Sequence, residues 1–516
     1  MKPSVAYTHQ PAKEFSVEKV HRHQTQPRSW LWLVMGAGFL LFYYGARNIP
    51  VAAWFSLVFL LRFVRQQKLR VWVPVLYLTA IGTMAFQLRG MIPIPGFGYA
   101  IFLAVGGIPF LIPYLADRWL VPRIGGLLAT LVFPTAWVAL EYINSLGPFG
   151  SWGSAAYSQY GNLALLQLLS VTGLWGISFL IGWFAAICNW LWEEGWDSTQ
   201  ARRGAYLCIG TVAAVVLVGG ARMALFPPSS STVRIASLSK RQIGPSSSDA
   251  AWNRLTSNQP TGEDLALIRS WGAAVGNDLL ARTEREAQAG AKIVFWGEAN
   301  APVFKHDEAA FISRGAELAS KYQIYLGMAL GVWNIGKNPA FGDKLILIEP
   351  NGRVAWEYNK ARPVPGPEVA MQIRGDGKLR SLDTPYGRLS SVICFDADFP
   401  QLLAQAGALG ADIVLDPSND WREVDPWHTQ MASFRAIEQG VNLVRQTSQG
   451  LSAAFDYQGR RLSAMDHYYT ADYALVSEVP TRGVRTVYSR LRDWFAWICA
   501  AAFLVLVFRS VRHKAA

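Results

Sequence analysis

The sequence predicts a two-part protein: a multi-pass α-helical membrane domain, then a layered α/β domain outside the cytoplasm. Three observations predict it. Of 516 residues, 51% are hydrophobic and only 16% charged, with 21 tryptophans, which is too apolar for an ordinary soluble protein. Apolar runs of bilayer-crossing length, about 20 residues, recur through positions 29–222 and once more near the C-terminus. Between them, residues 233–482 alternate strand and helix patterns with turn signals.

Residues 1–28 are polar, with Lys2, Lys13, Lys19, Arg22 and Arg28. They read as a cytoplasmic tail rather than a secretory signal, because no small-residue cleavage site follows the first apolar run. Spans are expected near 29–46, 49–65, 71–88, 99–116, 124–141, 168–190 and 204–222, with an eighth at 493–509. Arginines and lysines gather at alternate ends: Arg62, Arg65, Lys68 and Arg70, then Arg118 and Arg123, then Arg202 and Arg203, and finally Arg509, Arg512, His513 and Lys514. The positive-inside rule makes those ends cytoplasmic and leaves residues 223–492 outside. The net charge of +12 is therefore a topology signal, and nucleic acid is not an expected partner. Pro227-Pro228 sits in a linker, 223–232. In the outer domain, strands are expected at 233–238, 292–296, 323–330, 344–348, 389–394 and 413–415, and from 443 and 452. Helices are expected at 264–287, 307–322, 401–409 and 426–439.

Three residues in this domain carry the chemistry. The run from Leu389 ends on Cys394, followed by Phe395-Asp396-Ala397-Asp398-Phe399-Pro400, a strand delivering one side chain to a sharp turn. Cys188, Cys208 and Cys499 lie in apolar runs as inert fillers, so no disulfide framework is expected. A second apolar strand ends on Glu298, and Lys360 closes a third after the turn Pro350-Asn351-Gly352. A free thiol has a pKa of roughly 8.5 and needs a base. A carboxylate can take the proton, and a lysine can hold the oxyanion formed by attack on an acyl carbon. Singly, each is as readily a buried cysteine or a rim charge. In that chain order they resemble the triad of the nitrilase (carbon–nitrogen hydrolase) superfamily.

The whole chain resembles the apolipoprotein N-acyltransferase family. Glu141-Tyr142, Tyr157 to Asn162, Leu166-Gln167-Leu168 and Gly173 to Leu180 look like that family's membrane half. Tyr358-Asn359-Lys360 with Pro363 to Glu368, Ser418-Asn419-Asp420-Trp421, His428 to Ala432, Arg435 to Glu438, and Gly450 to Gly459 look like its soluble half. The likeness departs at Gly297, at 237–240 and after Asn419, and Asp396 is one carbon shorter than the family's glutamate. The resemblance implies a nitrilase-like αββα sandwich at 233–482 on a seven-helix domain, 29–222, closed by the last helix. It implies Glu298 as base, Lys360 as oxyanion stabiliser and Cys394 as nucleophile, supported by Glu368, Phe395, Asp396 and Asn419, with no cofactor and no metal.

The implied reaction moves a fatty acyl chain from a phospholipid, through a Cys394 thioester, to the N-terminal amine of a diacylglyceryl-cysteine apolipoprotein. The enzyme is expected to be a monomer in the bacterial inner membrane with its catalytic domain in the periplasm. Two other readings stay open: a membrane-anchored amidase or nitrilase-type hydrolase, and a non-catalytic scaffold. Trp421 and Trp427 read as core aromatics or as the lining of an acyl groove. Arg435 and Glu438 read as a structural pair, and His428 as a satisfied helix-start histidine.

Overall fold

The computed structural model describes residues 28–241, 250–257 and 259–512. The expected tail up to residue 27, and His513 and Lys514, lie outside the described residues. Helices Leu69–Gln87, Phe97–Ile124, Gly126–Ser145, Leu174–Glu194, Thr199–Leu225 and Trp494–Arg512 are long and apolar enough to cross a membrane. Large apolar side chains such as Leu78, Val105, Leu217, Val218 and Leu504 stand exposed on them. In water such a surface is an aggregation hazard; in a bilayer it faces lipid.

The first expected span, 29–46, comes out short, while the second, 49–65, is found at its expected length one residue later. Ser29–Leu40 has 12 residues and Pro50–Gln66 has 17. The chain turns after Leu40 through Gly45, whose φ is +79°, and Pro50, with no N–H to lose, opens the next helix. The two helices pack through Phe59, which stacks on Trp32 and on Phe39 with ring centroids 5.8 Å apart in each case. Arg65 at the end of the second helix makes a forked pair with the buried Asp117, Nε to Oδ2 at 2.8 Å and NH2 to Oδ1 at 2.7 Å. The region expected as one span at 168–190 is broken at Gly173, where short turns give way to Leu174–Glu194.

The α/β domain begins after Leu225. Its strands are β1 Thr232–Leu238, β2 Ile293–Trp296, β3 Ala301–Phe304, β4 Tyr325–Trp333, β5 Phe341–Ile348, β6 Val354–Asn359, β7 Ser381–Thr384, β8 Gly387–Ser391, β9 Ile413–Asn419, β10 Asn442–Ser448, β11 Leu451–Phe455, β12 Arg461–Asp466 and β13 Ala474–Pro480. One sheet runs β13-β1-β2-β4-β5-β6 with β3 beside β4, and the other β12-β11-β10-β9-β8-β7. Parallel pairs (β1/β2, β2/β4, β8/β9, β9/β10) form the sheet centres, where apolar, β-branched runs suit burial on both faces.

The sheets meet through Val233, Ile235, Ile293 and Phe295 on one side and Leu389, Ile413, Leu415 and Val444 on the other. Helices cover the outer faces. Gly262–Gln288, whose Thr261/Asp264 capping box satisfies its first amides, and Glu308–Tyr322 pack on the first sheet. Pro400–Leu409 and Trp427–Gln439 cover the second. This is the αββα sandwich.

The helix Trp427–Gln439 works on two sides. Ala432 and Ala436 face the sheet, while Trp427, Met431, Phe434 and Ile437 join the apolar core of the membrane half. Trp427 is 1% exposed and meets Tyr44 edge-on at 4.9 Å, and Phe434 meets Tyr157 at 4.9 Å. Core burial is therefore the structural role of Trp427. Truncation there leaves a cavity costing about 3–5 kcal/mol. Trp427→Ala is expected to lower the thermal midpoint in detergent and to open the segment between Leu225 and Thr232 to protease, both read against the wild type.

Candidate active site

Cys394 sits where β8 runs out. Val392 is still bonded to β9, its N–H donating to Leu415 O at 3.1 Å. Cys394 then takes a φ of +53° and starts a short 3-10 turn, Cys394–Asp398. Left-handed backbone at a non-glycine residue costs about 1–3 kcal/mol and persists only where its surroundings hold it. Here the Cys394 N–H donates to Asp416 Oδ1 at 2.9 Å, and the buried Arg445 grips Asp416 Oδ2 at 2.6 Å. The expected strand 389–394 therefore stops at Ser391, and the elbow rather than the strand presents the sulfur.

Glu298 lies two residues beyond β2. Its N–H donates to Ser418 O at 3.3 Å, and its own carbonyl accepts from the Asn300 side chain at 2.8 Å. Lys360 follows β6 directly. Its ammonium, 1% exposed, donates to Glu298 Oε1 at 2.6 Å and to Glu368 Oε2 at 3.0 Å. Glu368 is fixed in turn by the Val364 N–H at 2.9 Å. An ammonium has three N–H donors; two are spent on carboxylates, and one remains for an oxyanion. The structure thus brings Glu298, Lys360, Glu368 and Cys394 into one buried cluster.

The electrostatics divide the roles. Burial pushes the Cys394 thiol well above its usual pKa, and the Glu298 charge adds to this. Burial disfavours the Glu298 carboxylate, but Lys360 outweighs it and holds the pKa low. Burial works against the Lys360 charge too, and Glu298 and Glu368 more than offset it. The resting site is a thiol beside a carboxylate–ammonium pair.

Asp396 reaches the lysine strand despite its short side chain. It accepts from Tyr358 OH at 2.7 Å and from the N–H groups of Arg362 at 2.8 Å, Ile393 at 3.2 Å and Ala361 at 3.2 Å. It thereby ties the chain after Lys360 to the cysteine elbow. Burial pushes its pKa up to about 7 against these donors. Phe395 is buried beside Phe399. Asn419 contributes its carbonyl, 3.9 Å from Cys394 Sγ, while its side chain is exposed.

On the far side of the sulfur stands a second network. His428 Nε2 is 2.9 Å from Asp398 Oδ2, and Nδ1 is 2.7 Å from Asp420 Oδ1. Burial lowers its pKa, but Asp398 and Asp420 raise it to about 9 against Arg445. Ligating atoms of Cys394, Asp420 and His428 lie within 4.8 Å of one another. However, Arg445 NH2 already sits 3.2 Å from Asp420 and 2.9 Å from His428, so a guanidinium holds the place a cation needs.

The sulfur opens onto a small apolar pocket walled by Met91, Ile92, Pro93, Phe149, Trp152 and Trp421 with Phe395. Ile92, Phe149 and Trp152 also line a cavity of about 430 Å³ among the membrane helices, within the roughly 300–1,000 Å³ of small-ligand sites. Trp421 is anchored by its N–H to Gly90 O at 2.8 Å and is a wall of the pocket rather than a core residue.

Residues 26–187 match the family model described as apolipoprotein N-acyltransferase N-terminal domain, and residues 263–476 the one described as carbon-nitrogen hydrolase. The chain is similar to the apolipoprotein N-acyltransferase of Geobacter metallireducens, 27% identical over 455 residues, which are 80% of this chain and 81% of that protein. It is similar to that of Gloeobacter violaceus, 25% identical over 489 residues, 80% of this chain and 90% of that protein. The chain belongs to the apolipoprotein N-acyltransferase family. Among solved structures, an amidase from Nesterenkonia sp. is 20% identical with a TM-score of 0.39, covering 52% of this chain and 97% of its own.

In this member of the apolipoprotein N-acyltransferase family, sequence reasoning misses Asp343, Asp416, Arg445 and the contact from Trp152. The signal for three of them is a charge inside an otherwise apolar strand, as in Ile413-Val414-Leu415-Asp416 and Leu443-Val444-Arg445. His428 is satisfied, as expected, but it also borders the sulfur pocket. Asp396→Asn sets a donor against donors at a buried knot, worth about 1–3 kcal/mol. A loss of at least tenfold in turnover, roughly 1.4 kcal/mol, is expected in a steady-state assay, with Tyr358→Phe milder.

Proposed function

We propose that this chain is an N-acyltransferase that moves a fatty acyl group from a phospholipid to the α-amine of a diacylated apolipoprotein. One observation carries the reading: Cys394 of the Glu298–Lys360–Cys394 cluster lines a small apolar pocket, and three of that pocket's walls, Ile92, Phe149 and Trp152, also line the cavity among the membrane helices. The lipid-processing relatives named above agree with it. A hydrolase of small amides fits an open polar pocket, and the pocket at Cys394 is apolar on nearly every wall.

In the first half-reaction the Cys394 sulfur attacks the ester carbonyl while Glu298 takes the thiol proton. The remaining N–H of Lys360 meets the oxyanion. The C–O bond breaks, the proton passes from Glu298 to the leaving oxygen, and a thioester and a lysophospholipid result. In the second half, the amine attacks the thioester and loses a proton to Glu298. The C–S bond breaks, and the thiolate recovers the proton. Glu368 keeps the ammonium in place throughout, and Phe395 and Trp421 border the acyl path. All three central residues come from one chain, which supports a monomer as the working unit.

The deciding measurement is intact mass after incubation with phospholipid alone. Wild type is expected to gain one acyl group on Cys394, and Cys394→Ala none, with equal expression. A wild-type chain that takes no acyl group sinks the reading.

The charge alternation supports a bacterial inner-membrane protein with residues 223–492 on the periplasmic side. In a chain with all four native cysteines replaced, a cysteine at the exposed Lys337 is expected to react with an impermeant maleimide on spheroplasts. One at the exposed Lys68, between two helices, is expected to be spared. The reverse pattern inverts the orientation and removes lipoprotein N-termini from reach.

A further inference from the structure

The buried cluster holds one carboxyl group that the mechanism above does not use. Asp343 lies on β5, 2% exposed, paired with the strand that carries Lys360. Its carbonyl accepts the Lys360 N–H at 2.9 Å. Its carboxyl stays 3.9 Å from the ammonium, beyond hydrogen-bond distance. Asp343 Oδ1 has no hydrogen-bond partner among the described residues, and neither has Glu298 Oε2. Yet both carboxyl groups are buried around the same ammonium, Glu298 Oε1 at 2.6 Å and Asp343 Oδ2 at 3.9 Å from Lys360 Nζ.

Unpartnered buried carboxylate oxygens cost several kcal/mol as a pair of like charges. The groups facing Asp343 are Glu298 from the loop after β2, Lys360 at the end of β6, Glu368 from the helix Pro367–Met371, and Cys394 beyond Glu298. Three carboxyls around a single ammonium leave an excess of negative charge, and two of them, Glu298 and Asp343, are buried. One proton held by this pair of carboxyl groups removes a charge and gives an unpartnered oxygen a donor.

We propose that Asp343 carries that proton and donates it as a hydrogen bond to Glu298, holding the Glu298 carboxylate in position for the Cys394 thiol. The proton belongs to Asp343 because Glu298 has the 2.6 Å contact with Lys360 and Asp343 does not. The electrostatics agree: burial, then the Glu298 charge, push Asp343 well above the usual carboxylate range. Asp343 is a positioning residue. It touches no substrate and acts through Glu298, and its use in turnover rests on the acyl-transfer reading.

The test is an infrared difference spectrum, wild type minus Asp343→Asn, on resting protein at neutral pH without substrate. The expected result is a positive carbonyl band of a protonated carboxylic acid that shifts in heavy water. Asparagine keeps an N–H for Glu298, so Asp343→Asn is expected to hold turnover within about tenfold, while Asp343→Ala falls a hundredfold or more. No acid band in the difference spectrum overturns the proposal, as does an Asp343→Asn variant as inactive as Asp343→Ala. If Asp343→Ala fails to fold, the spectrum and the Asn variant still decide. Because the spectrum needs no acyl donor, it stands apart from the mass experiment on Cys394, whose failure removes acyl transfer and leaves the shared proton untouched.

Discussion

The Lys360 ammonium is 1% exposed, and burying one such ion costs several kcal/mol unless carboxylates meet it at close range. Much of the site follows from that requirement. Glu298 and Glu368 supply the charge at 2.6 and 3.0 Å, and they arrive from different elements. The two sheets must be in register for Glu298, after β2, to face Cys394, after β8. Asp396 closes the knot by bonding both the elbow and the residues after Lys360. Removing the ammonium strands two carboxylates; removing either carboxylate leaves a buried cation short of a partner. A cluster that is costly to take apart is also one whose geometry needs no rearrangement when charge develops in a transition state.

Cys394 is positioned from the membrane side as well. Ser151 N–H and Oγ both donate to Asp398 O, at 2.8 and 2.7 Å, and Trp152 Nε1 donates to Asp398 Oδ2 at 2.7 Å. Asp398 belongs to the 3-10 turn that Cys394 starts, so a loop between membrane helices grips the elbow itself. The approach is close enough that a Cβ at Gly150, whose φ is +57°, would stand 2.5 Å from Asp398 O. The helix Trp427–Gln439 makes a second tie through Glu438, which accepts the Leu174 N–H at 3.1 Å. The membrane half is therefore a wall of the Cys394 site as well as an anchor.

Helix and strand patterns in this chain are local properties. An 18-residue apolar run or a β-branched stretch ending in Gly-Glu is visible without any partner, because hydrophobic period and length act within one segment. The run into Cys394, the close of the second strand near Glu298 and the placement of Lys360 after β6 were legible for that reason. The chain order of those three residues, with the motifs around them, was enough for a family resemblance and an expected chemistry. The length of the first helix was less legible, because its chain turns through Gly45 within an apolar stretch whose composition does not change.

What the sequence by itself determined is the pair of solvents this chain folds for, the order of its elements and the family it resembles. What only the tertiary structure decided is which charges share a site. Asp343, Asp416 and Arg445 look like misplaced polar residues in buried strands until the sheets bring them to Glu298 and Cys394. Trp152 meets Asp398 across 246 residues of sequence. Such pairings depend on strand register and helix docking, which are set by packing across the whole core. Whether a buried charge has a partner is a property of that packing, and no single segment contains it.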